Sequence, residues 1–169
     1  MKFIVFLFVF LFAGFAYSQD HWALGANVNY DFQTNGIGAG LRAYIPVKGQ
    51  LAISPQVSYF FPFNAITEYY AGMAVQYDLL PKRNWTIYPL VAAYYNRWIN
   101  YSDYIGSVAK PNNFSEEAGL GMMKGYGCIR PFAEARYDFK WAEFNVQAGL
   151  LFFFGDCFGR SVDVCPAYF

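Results

Sequence analysis

Apolar and polar residues alternate along most of the chain after its first 20 residues. Across residues 21–32 the even positions are Trp22, Leu24, Ala26, Val28, Tyr30 and Phe32, and the odd ones are His21, Ala23, Gly25, Asn27, Asn29 and Asp31. A period of two marks a strand with two unlike faces. The same pattern predicts further strands over residues 37–47, 50–61, 68–79, 85–96, 116–123, 128–139 and 143–154, eight in all. Turn chemistry separates them: Asn35-Gly36 and Lys48-Gly49 supply residues that tolerate positive φ. Residues 85–96 are apolar in both phases, which leaves the facing of that strand open. Ile53-x-Pro55, Ile87-x-Pro89 and Ile129-x-Pro131 recur early in the third, fifth and seventh strands. Proline donates no ladder hydrogen bond and belongs near a strand start or a bulge. An even number of long two-faced strands predicts an all-β fold, an eight-stranded antiparallel up-and-down transmembrane β-barrel with both termini on one side.

Alternation alone does not say which phase points inward. The interior of an eight-stranded barrel holds its own side chains or one small ligand. One phase carries Trp, Tyr, Phe, Ile and Leu, too bulky for that space. The other is rich in Gly, Ala, Ser, Asn and Gln with a few long charges, and it fits. The apolar phase is therefore expected to face lipid, with Arg42, Glu134 and Arg136 inside. Aromatic residues near the strand ends, among them Trp22, Tyr30, Phe61, Tyr69, Tyr77, Trp85, Tyr95, Phe144 and Phe154, fall where the membrane interfaces would lie.

Composition agrees with this. Charged residues make up 14% of the 169-residue chain and aromatics 22%, with a formal net charge of zero; soluble domains carry about 25% charge. No basic excess exists for nucleic acid. Residues 1–18 read as a signal peptide: Met1-Lys2, an apolar run over 3–15 too short to span a bilayer, and the small-x-small site Ala16-Tyr17-Ser18. Residues 19–155 are then the barrel, and 156–169 a periplasmic C-terminal tail.

These features together resemble the small outer-membrane β-barrel family of Gram-negative bacteria, the group of OmpX-like and OmpA-barrel-like proteins. The residues that carry the resemblance are Ala16-Tyr17-Ser18-Gln19, the strand-start prolines Pro89 and Pro131, the 129–139 strand and Phe152-Phe153-Phe154-Gly155. Gln19 directly after the cleavage site is similar to Bacteroidota-type signal peptides. The resemblance implies fold and outer-membrane location, not an activity. In the family the last strand often ends the protein on an aromatic residue. Here the chain continues to Phe169, so either Phe154 or Phe169 could take that role.

Candidate chemistry is sparse. The chain has one His, His21, with no evident Ser or Asp partner, so no catalytic residue is assigned and an enzyme is not expected. Three Cys and one His form no zinc pattern, and no metal or cofactor is expected. Arg42, Arg130, Glu134, Arg136 and Asp138 are expected to form a structural polar network in the lumen, because buried charges require partners. A disulfide is expected in the oxidising periplasm. Cys157–Cys165 closes a short loop and leaves Cys128 reduced; Cys128–Cys157 is the rival pairing. Loop 97–115 mixes Tyr, Ser, Asn, Gly and Trp, a composition that suits a binding loop and equally an ordinary solvated one.

The expected partners are outer-membrane lipid and an envelope protein, engaged through loop 97–115 or tail 156–169. The expected function is a structural or interaction role: envelope integrity, surface binding or an accessory subunit of an envelope complex. The alternatives are a transporter of small apolar molecules and, behind it, a lipid-modifying barrel enzyme.

Overall fold

The computed structural model describes residues 22–61, 67–79, 84–99 and 111–155. The signal segment, His21, the tail, and the central part of loop 97–115 lie outside the described residues. Eight strands are present: β1 (Ala23–Asp31), β2 (Gly36–Lys48), β3 (Leu51–Phe60), β4 (Glu68–Tyr77), β5 (Trp85–Trp98), β6 (Asn112–Lys124), β7 (Ile129–Asp138) and β8 (Glu143–Phe153). Each pairs antiparallel with the next. β1 closes the sheet on β8, with Ala26 opposite Leu150 and Val28 opposite Ala148. The fold is a closed eight-stranded antiparallel barrel, with no open sheet edge to protect.

Local chemistry sets the connections. Asn35, at the end of the β1–β2 turn, takes φ 48°, and Gly49 between β2 and β3 takes φ 62°. These are left-handed values that Asn and Gly adopt readily. The rim that carries the start of β1 and the end of β8 also holds the β2–β3, β4–β5 and β6–β7 turns; we call it the terminal rim. The other four connections lie at the opposite rim.

The two phases segregate as the pattern predicts. Leu41 (64% exposed), Val28, Val91 and Leu150 lie on the outer surface, while Arg42, Glu134 and Arg136 are buried inside. Pro55, Pro89 and Pro131 share the outward phase with them, on three strands that all start at the terminal rim.

Two elements differ from the sequence reading. β6 begins at Asn112, not 116, because Asn112 to Ser115 pair with Arg97 to Tyr94 of β5. Their polar composition reads as loop although they alternate properly, with Phe114 outward and Ser115 buried. β5, ambiguous in sequence, places Thr86, Tyr88, Leu90, Ala92, Tyr94 and Asn96 inside. Its tyrosines are apolar by body and polar by tip, and the tips are used in the lumen.

Candidate functional site

The lumen is filled in three zones. Nearest the terminal rim it is largely apolar: Tyr44, Met123, Phe132, Leu151 and Phe153 are all buried. The rings of Tyr44 and Phe153 pack 5.3 Å apart. Tyr44 Oη donates to Asp78, just past β4, at 3.0 Å. Burial raises the Asp78 carboxyl above its usual range, against hydrogen bonds from Gln76 and Tyr44 and the charge of Arg130, which pull it down.

The middle zone is a charged network. Glu134 Oε1 accepts from Arg42 Nη1 at 2.6 Å and from Tyr88 Oη at 2.8 Å. Glu134 Oε2 accepts from Arg136 Nε at 2.9 Å and from Arg136 Nη2. Arg136 Nη1 donates onward to Glu117 Oε2 at 3.1 Å and Tyr94 Oη at 2.5 Å. Asn145 Nδ2 donates to Glu117 Oε1 at 3.2 Å, and Gln56 Nε2 to Gln147 Oε1 at 3.3 Å. The Arg42 guanidinium lies over the Phe132 ring, 4.6 Å from its centroid. Two arginines meet two glutamates, so the buried charges balance, and the network ties β2, β3, β5, β6, β7 and β8 across the lumen. Broken on one side, such a pair leaves an uncompensated charge at a cost of about 3–5 kcal/mol.

Glycine makes room for the rings that complete this network. A Cβ on Gly121 of β6 would lie 2.3 Å from Tyr88 Cε2. Tyr88 therefore lies flat across the inner face of its cross-strand neighbour, with its hydroxyl within reach of Glu134.

The third zone is the mouth at the opposite rim. Asp31, Glu68, Asp138 and Glu143 come to it from the ends of four strands, and Glu143, Glu68, Glu117 and Asp138 all lie within electrostatic reach of Asp31. Some of these carboxylates organise the rim. Glu143 Oε1 accepts from the backbone N–H groups of Gln33 and Thr34 at 2.8 and 3.0 Å. Asp138 Oδ1 accepts from those of Lys140 and Trp141 at 2.8 and 3.0 Å. Asn96 Nδ2 donates to Glu68 Oε2 at 2.8 Å. Phe60, Tyr70, Trp98 and Trp141 wall the mouth, the two indoles stacked with centroids 5.8 Å apart.

Of the five residues expected in the lumen network, the structure joins Arg42, Glu134 and Arg136. Arg130 stands apart at the terminal rim, 3.7 Å from the Phe153 ring centroid and donating to Gly127 O at 3.2 Å. Asp138 serves the β7–β8 turn. Tyr88, Tyr94, Glu117 and Gln56 are network members that sequence reasoning misses; Glu117 reads as one residue of a short strand, and the tyrosines as either phase of β5. The expectation of a reduced Cys128 is corrected, since Cys128 is disulfide-bonded. Cys157 and Cys165, the other two cysteines, lie outside the described residues.

No family model matches the sequence, nor does any curated protein. Solved structures do match in fold. The N-terminal β-barrel domain of Pseudomonas aeruginosa OprF matches with a TM-score of 0.59 at 11% identity, over 79% of this chain and 97% of that one. Neisserial surface protein A matches with a TM-score of 0.56 at 16% identity, over 81% and 98%. A chain from the de novo design of transmembrane β-barrels matches with a TM-score of 0.53 at 14% identity, over 80% and 96%. At such identities the likeness is one of architecture, and the chain shares with these proteins the closed eight-stranded antiparallel barrel.

Proposed function

We propose that the protein is a small, closed, non-enzymatic barrel of the Gram-negative outer membrane. Its role is structural or interaction-based: envelope integrity, surface binding or an accessory place in an envelope complex. The observation that carries this reading is the inversion of the usual burial profile. Leu41, Phe144 (62% exposed) and Leu120 lie on the surface, while Glu134 and Arg136 are almost fully enclosed. Lipid is the solvent that favours this arrangement.

The dimensions fit. On β5 the outward phase runs apolar from Trp85 to Tyr95, and aromatic residues bound it at both ends. Ten steps of about 3.3 Å, tilted by about 40°, make a band about 25 Å tall, the height of an outer-membrane barrel's apolar belt. Residues 144–154, along β8 and one residue past it, span the same length between Phe144 and Phe154. The charged outward residues Arg97 and Glu116 lie toward the opposite rim, past the middle of that band.

Export fits the signal-like residues 1–18, and the disulfide at Cys128 suits an oxidising compartment. The matched structures include Neisserial surface protein A and a designed transmembrane β-barrel, which supports a membrane as the destination. Outer-membrane lipid is then the first partner. A protein partner would dock through loop 97–115 or tail 156–169. A transporter of small apolar molecules would need an apolar lumen, and the Arg42–Glu134–Arg136 network opposes that.

The test is fractionation of cells producing the full chain, followed by extraction. The expected result is mature protein, cleaved before Gln19, in the outer-membrane fraction and released only by detergent. Recovery in the soluble periplasm would overturn the reading.

A further inference from the structure

Between the charged network and the mouth the lumen leaves a small chamber. Asn29, Gln56, Ser58, Asn145 and Gln147 bring side-chain amides and a hydroxyl to its wall, and Arg136 of the network lines it as well. We propose that this chamber is a binding site for ordered water, about two molecules, anchored on the Gln147 amide. The assignment stands on the geometry of the lumen and does not depend on the membrane in which the barrel sits.

Size is the first argument. The chamber offers about 30 Å³ to the centres of water molecules. One water needs about 10–15 Å³ on that measure. Two therefore fit, and an organic guest does not, since ligand pockets run from about 300 Å³ upward.

An unused donor is the second argument. Gln147 is 3% exposed. Its Oε1 accepts from Gln56 Nε2 at 3.3 Å, whereas its Nε2 has no hydrogen-bond partner among the described residues. Exchanging the two ends of the amide does not help, because it sets one N–H2 group against the other. A buried amide donor finds its acceptor in protein or in ordered water, and Gln147 lines the chamber.

The wall is the third argument. A bound water needs two to four polar partners. Ser58 Oγ accepts from Gln56 Nε2 at 3.2 Å, and a hydroxyl keeps a proton and a second lone pair beyond that bond. Asn145 gives its Nδ2 to Glu117, which leaves the amide oxygen as an acceptor. Both signs of charge border the same space, Arg136 meeting Glu117 at 3.1 Å. A cation would face the guanidinium and an anion the carboxylate. Water is neutral and both donates and accepts, and cavities that stay dry have apolar linings instead. Water held here ties Gln147 of β8 into the network and hydrates the charged layer from the opposite rim. On its other side that layer meets the apolar zone of Tyr44, Phe132, Leu151 and Phe153.

The test combines two magnetic-resonance measurements on the chain refolded in detergent with isotope-labelled glutamine. Rotating-frame cross-relaxation should show direct contact, distinct from proton exchange, between long-lived water and the Gln147 side-chain N–H2, and Q147L assigns that signal by its loss. Relaxation dispersion of water should count about two fewer long-lived molecules in Q147L than in the wild type. Retained heat-modifiable mobility on gels confirms that the variant folds, and Q147M takes its place should Q147L fail to do so. A Gln147 amide without water contact would overturn the proposal. So would a dispersion amplitude unchanged in the folded variant, or one that varies with sodium or chloride concentration, which would assign the chamber to an ion.

Discussion

At the scale of single residues, Glu134 is the centre of the lumen. It takes both arginines and the Tyr88 hydroxyl, and its side chain has no exposed surface. E134Q leaves Arg42 without its carboxylate and Arg136 with Glu117 alone, and should destabilise the folded barrel by about 3–5 kcal/mol. Urea unfolding of detergent-refolded protein measures this, and a loss under about 1 kcal/mol would mean that the network is solvated. Gly121 gives a second case. G121A sets a methyl against the Tyr88 ring and should cost about 1–3 kcal/mol as the ring shifts off Glu134. Combined with Y88A, most of that loss should disappear, because the clash is with one ring; full additivity in the double mutant would contradict the account. Some of this was legible beforehand. Arg42, Glu134 and Arg136 stand out as long charges in a phase of small residues. Tyr88 and Tyr94 do not, since a tyrosine reads as apolar until its hydroxyl has a partner. The mouth carboxylates were equally hidden, because Asp31, Glu68, Asp138 and Glu143 lie at the ends of four different strands and only closure of the sheet brings them together.

At the scale of elements, strand identity follows from alternation wherever the two phases differ in size and polarity, as in β1, where Trp22, Leu24 and Val28 oppose Gly25, Asn27 and Asn29. β5 defeats the rule because its inward side uses Tyr88, Leu90 and Tyr94. β6 hides its first turn of strand in Asn112-Asn113, polar residues at a rim. The β7–β8 hairpin carries a covalent question as well. Phe153 N–H donates to Cys128 O at 2.9 Å, so Cys128 stands beside the end of β8, four residues before Cys157. We expect non-reducing peptide mapping to find Cys128 joined to Cys157, stapling the start of the tail to the terminal rim. A Cys128–Cys165 peptide would show that the tail folds back over its full length instead.

At the scale of the whole molecule, closure and facing define what the protein can do. The charged network crosses the lumen between an apolar zone and the acidic mouth, so reconstituted protein should give no regular conductance steps in a planar bilayer. Stable unitary currents would show that the network opens, and would favour transport over a structural role. The central claim, that the apolar phase lives in lipid, is tested most directly by reversible folding into phospholipid vesicles of L41R and Q147R beside the wild type. Leu41 and Gln147 lie near mid-barrel on opposite faces of the sheet. L41R should lower the folding free energy by about 2–4 kcal/mol, whereas Q147R, placed among polar side chains, should lower it less. Equal tolerance of L41R and the unmodified chain, with Q147R the damaging change, would contradict the account and make the barrel a soluble one.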